Sequence, residues 1–104
     1  MEANKNNNSI ETIPVTNLCI HYKIETAFFE RLESFGLINL IHQEQTPAIA
    51  VESIKEIERW IHLHYDLNIN MEGLDAISHI LQRMEILQTE LAKAKSRLRS
   101  MEGL

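Results

Sequence analysis

Cysteine occurs once in the 104 residues, at Cys19, so no internal disulfide can form and packing alone must hold the fold. Proline occurs twice and glycine three times, too few for a collagen-like or low-complexity chain. No apolar run approaches the roughly 18–20 residues needed to cross a bilayer, and the first eight residues lack the apolar stretch of a signal peptide. These absences read as a cytoplasmic protein without a membrane span. Basic residues are also scarce: ten Lys and Arg stand against fifteen Asp and Glu, for a formal charge of −5. That sign is wrong for a chain whose main task is neutralising phosphates.

What remains is an ordinary globular composition, 44% hydrophobic and 24% charged, enough for one modest core. The charge is unevenly spread. From Ile10 to His79 eleven acidic side chains face four basic ones, whereas from Ile80 to Ser100 five basic face two acidic. The body is acidic and the far end basic, as suits the last turns of an exposed helix.

Residues 1–9 are rich in Asn and poor in apolar side chains, and are expected to be a disordered tail. Ile13-Pro14-Val15 reads as extended, with Thr16 placed to cap a short helix containing Leu18, Cys19 and Tyr22. Lys23-Ile24-Glu25 breaks that run. A second helix from about Thr26 to Phe35 follows, since Phe28, Leu32 and Phe35 share a face with Phe29 at its flank, and Gly36 stops it. The opposite face carries Thr26, Ala27, Glu30, Glu33 and Ser34. Between Leu37 and Ala50 the helical period disappears and a small hairpin is expected, with Pro47 confining its strand to an edge or an end. A third helix from about Glu52 to Asp66 turns Ile54, Ile57, Ile61 and Tyr65 inward with Trp60 beside them, and Asn70 is placed to cap the last helix.

That last helix is the most regular feature. Ile77, Met84, Leu91 and Leu98 recur every seven residues, and Ile80, Leu87, Ala94 and Met101 follow each by three. Four heptads of a and d positions run for roughly 36 Å at about 1.5 Å per residue, more than so small a body covers. The economical partner is a second copy, so these eight residues are the expected dimerisation seam. A Glu90–Lys95 pairing is open to a parallel dimer but does not decide the direction. The expected organisation is a tail at 1–9, a helix-turn-helix domain at 10–75 and a dimerisation helix at 76–104.

Catalytic and metal chemistry find little footing. His62 and His64 lie about 200° apart on a helix and do not grip one ion together, and Cys19 reads as a small core residue. His62-Leu-His-Tyr-Asp66 has no nucleophile, phosphate loop or paired carboxylate beside it. No enzyme, metal or cofactor is expected. The short helix, three-residue turn and second helix do have the layout of a helix-turn-helix, followed by a hairpin in the place of a wing. Base reading would require Arg, Lys, Asn or Gln on the second helix. It carries Glu30 and Glu33, and from Leu32 to Ile54 there is no Lys or Arg. An acidic face suits a basic protein partner.

The order of helix-turn-helix, wing, helix and long dimerising helix resembles the MerR superfamily, and Phe35-Gly36-Leu37-Ile38 is similar to the segment that opens its wing. The implied fold is mainly α, a MerR-like winged helix-turn-helix with a small β-hairpin wing and a long C-terminal coiled-coil helix. Two segments resemble the CbpM branch more specifically. They are Val15-Thr-Asn-Leu-Cys-Ile-His-Tyr-Lys-Ile24 and Ile61-His-Leu-His-Tyr-Asp-Leu-Asn-Ile-Asn-Met-Glu-Gly-Leu-Asp-Ala-Ile77. The resemblance implies a modulator of a DnaJ-like, CbpA-type co-chaperone that binds its J domain, whose basic helical surface matches an acidic body. From charge and helical spacing, Glu25, Glu30 and Glu33 are the expected contact residues, with Glu44 at the wing tip. The alternative is a DNA-binding transcription regulator, against which Glu30 stands where DNA-binding MerR proteins have Arg.

Overall fold

The computed structural model describes residues 10–43 and 45–103. The expected tail at 1–9 and the wing-tip Glu44 lie outside them. The described chain is mainly helical, with a small antiparallel sheet. Strand β1 spans Thr12–Pro14, helix α1 Val15–Tyr22, α2 Thr26–Ser34, β2 Ile41–Gln43 and β3 Thr46–Ala50. A 3-10 turn at Val51–Ser53 leads into α3, Ile54–Ile61, which passes into a π-helical turn at His62–Asp66; α4 is Met71–Glu102. Two compact units result, one ending at Leu74 and one beginning at Asp75.

Helix α1 starts two residues earlier than expected. Pro14, still paired with Ala48 in the sheet, is its N-cap, so Val15 enters the core and Thr16 falls inside the first turn without capping it. Lys23 ends α1 in the left-handed region at φ 59°, and the Ile24 amide reaches back to the Cys19 carbonyl. Three residues therefore suffice to turn the chain into α2. That helix ends at Ser34 because Gly36, at φ +76°, closes a Schellman motif: its amide bonds the Glu33 carbonyl while the Leu37 amide bonds that of Leu32. Phe35 is thereby left outside the helix and partly exposed, and Phe29 rather than Phe35 joins Phe28 and Leu32 in the core.

The hairpin is part of a three-stranded sheet in the order β1-β3-β2. The strand of Pro47, expected at an edge or an end, is thus the middle one, with Pro47 second from its start. Its missing N–H is tolerated because β1 reaches only as far as Ala48, leaving Pro47 paired with His42 alone. The core gathers Val15, Phe29, Leu32, Ile49, Ile57, Trp60, Met71 and Leu74, all essentially inaccessible.

The third helix also departs from expectation. Ile57 and Trp60 are its buried residues, Ile54 and Ile61 are half-buried, and Tyr65 is 44% exposed. The wider π-helical turn after Ile61 breaks the i, i+4 register, so Tyr65 leaves the inward stripe. Cys19 is half-buried rather than a core residue.

Asn70 caps α4 as expected: its Oδ1 accepts the Gly73 amide at 2.8 Å. In the unit beginning at Asp75, Ile77 is half-buried. Every a and d position from Ile80 onward is exposed, about half so at Met84, Leu87 and Leu91. No described helix is long and apolar enough to cross a membrane.

Candidate docking surfaces

Two surfaces carry the candidate residues, the helix-turn-helix in the first unit and the apolar stripe of α4 in the second. In α2 the buried side chains Phe28, Phe29 and Leu32 define one face, and Thr26, Ala27, Glu30, Arg31 and Ser34 are exposed on the other. Glu25 is the N-cap residue of α2 but makes no side-chain cap; its carbonyl accepts the Phe28 amide.

The three carboxylates named from the sequence do not form a single patch. Glu33 is turned toward the wing, where the His42 Nε2–H donates to it at 3.2 Å. Glu25 lies at the other end of α2, where its charge acts on the Tyr65 phenol. Glu30 stands between them, exposed and without an ion-pair partner among the described residues. The structure also exposes Arg31, which is not among the residues the helical spacing assigns to that face.

The π-helical turn builds a small aromatic cluster against α2. The His64 ring stacks on Phe28 at 5.1 Å, and its Nδ1–H donates to the Ile69 carbonyl at 2.8 Å. Tyr65 packs on Phe28 at 5.1 Å and meets the edge of His64 at 4.8 Å. Burial raises the Tyr65 phenol above its ordinary value, the Glu25 charge adds to that, and Arg31 opposes it. His62 turns elsewhere, donating to Asp66 at 2.7 Å, so the two histidines serve different partners. Across the domain, the Tyr22 phenol donates to Glu58 at 2.5 Å. That bond, then burial and the nearby charge, push its pKa to about 12.

On α4 the eight seam residues share one stripe. Lys93, Lys95, Arg97 and Arg99 follow without an acidic residue between Leu91 and Met101. Ile86, exposed but off the stripe, escapes the heptad pattern. Half-buried Leu81 extends the apolar flank at an e position.

A family profile described as MerR HTH family regulatory protein matches residues 13–96, from β1 into the basic part of α4. The chain belongs to the MerR family of helix-turn-helix regulatory proteins. No curated protein and no solved structure matches it. In this MerR-family chain α1 and α2 are the helix-turn-helix and β2–β3 the wing. The helix in the place of a base reader presents Glu30 at the middle of its exposed face, with one exposed cation, Arg31, beside it. Neither wing strand contains a Lys or Arg.

Proposed function

We propose that this chain is a non-catalytic, cytoplasmic, CbpM-like modulator that binds the J domain of a DnaJ-like, CbpA-type co-chaperone and so obstructs stimulation of the partner chaperone. The observation that carries the reading is Glu30: a carboxylate at the centre of the exposed α2 face with no ion-pair partner among the described residues, on a helix followed by wing strands without Lys or Arg. Facing a phosphate it would be repelled and release no counterions, whereas a basic helix would be attracted. The two CbpM-like segments support the same reading, since one supplies α1 with its turn and the other the π-helical turn and the capped start of α4.

Self-association through Ile77, Ile80, Met84, Leu87, Leu91, Ala94, Leu98 and Met101 belongs to this proposal. A stripe of that length loses its exposed apolar area most economically against its own copy.

The test is calorimetric titration of the J domain into the purified chain. Wild type binds with an affinity that falls as salt rises, and Glu30→Lys with Glu33→Lys weakens the complex while leaving the circular dichroism spectrum unchanged. Binding unaffected by both reversals contradicts the proposal. A DNA-binding regulator is the second reading, favoured by exposed Arg31 and by the basic run Lys93–Arg99. On that reading a gel shift on the upstream region of the gene is salt-dependent, and the same reversals strengthen it.

A further inference from the structure

Tyr65 is a large ring held in place yet 44% open to solvent. The π-helical turn that carries it is tied down by the Leu67 amide on the His62 carbonyl, the Ile69 amide on the Leu63 carbonyl and the His64 side chain on Ile69. Phe28 and His64 brace the ring from within. The Phe28 amide bonds the Glu25 carbonyl, so Glu25, the N-cap residue of α2, stands three residues before the ring's support. Glu25 is exposed and has no ion-pair partner among the described residues. Arg31 follows Phe28 by three residues and is exposed on α2.

An exposed aromatic ring attracts a cation over its face, and a neighbouring carboxylate adds a charge-assisted partner. Resting on the reading of this chain as a J-domain binder, we propose that Tyr65 and Glu25 form an anchor for one lysine or arginine side chain of the J domain's basic helix. The ring covers the cation's stem and the carboxylate pairs with its head. Arg31 repels a second cation, which orients the bound helix along α2. Charge complementarity selects this occupant: the first unit is strongly acidic, and of its exposed carboxylates without an ion pair among the described residues Glu25 and Glu30 lie on α2 or its cap.

The experiment titrates the J domain of a CbpA-type co-chaperone into the full chain and its variants. Tyr65→Phe keeps the ring and binds within about two-fold of wild type, whereas Tyr65→Ala and Glu25→Gln each weaken binding by at least about five-fold. Wild-type affinity in a folded Tyr65→Ala overturns the anchor while leaving J-domain binding intact; no binding by wild type overturns both. Should Tyr65→Ala unfold, hydrogen exchange on the wild-type complex decides. Protection over His62–Asp66 and Lys23–Ala27 supports the anchor, and a bound J domain without protection there overturns it.

Discussion

The Tyr22 phenol donates its hydrogen bond to the Glu58 carboxylate and so joins α1 to α3. The bond raises the phenol from 10.0 to about 12 in the folded chain. A folded-state pKa above the unfolded value means the contribution is complete below pH 10. It fades as pH rises toward about 12, because between those values the folded chain holds a proton the unfolded chain has released. Absorbance titration of the phenolates in wild type therefore shows the last step near pH 12. Tyr22→Phe removes that step and makes stability less dependent on pH above 10.

The first turn of α4 depends on a glycine for reasons of space. A Cβ at Gly73 would lie 2.6 Å from Ile69 Cγ2 and 3.2 Å from the Asn70 cap oxygen. Helix propensity alone favours Ala over Gly by about 1 kcal/mol. Against that preference, Gly73→Ala lowers the melting temperature of wild type, and in an Ile69→Ala background the same change is neutral or stabilising. Asn70→Ala costs about 1 kcal/mol as the cap is lost.

Trp60 fills the centre of the core while its indole N–H has no hydrogen-bond partner among the described residues. Leaving such a donor unmet costs about 1–3 kcal/mol, which offsets part of what the ring gains by burial. Trp60→Phe is consequently much milder than its loss of volume suggests, while Trp60→Ala destabilises by about 3–5 kcal/mol. Denaturant unfolding of the two variants checks the difference.

Leu87 and Leu91 lie at the middle of the exposed stripe. Leu87→Glu with Leu91→Glu places charges in the proposed seam and shifts sedimentation equilibrium from dimer to monomer. The spectrum of the first unit should be unchanged, since its core ends at Leu74.

Local chemistry made much of this fold legible in the sequence. The Lys23-Ile24-Glu25 turn, the stop at Gly36 and the Asn70 cap each rest on a few adjacent residues, and each stands where expected. Pairings distant in sequence were not legible. Nothing near Ile13 announces that it will face Ile49, so the extended piece at Ile13-Pro14-Val15 is not legible as a third strand, nor the Pro47 strand as the middle one. The π-helical turn was hidden for a related reason: an i+4 stripe extrapolated from Ile57 assigns Tyr65 to the core, and only packing against Phe28 discloses the wider turn. In the candidate site, spacing gave Glu30 correctly as an exposed residue. It could not foresee that His42, nine residues away, would engage Glu33.

That difference makes Glu30 and Glu33 unequal. Glu30→Lys alone is expected to weaken J-domain binding more than Glu33→Lys, whose carboxylate is already turned to the wing.

The most direct measurement is the ATPase rate of the partner chaperone stimulated by its CbpA-type co-chaperone, followed as this chain is added. Suppression that rises with concentration and is relieved by Glu30→Lys is the expected result. Undiminished stimulation, together with tight and sequence-selective retention of duplex DNA at physiological salt, would contradict a role in gripping J domains.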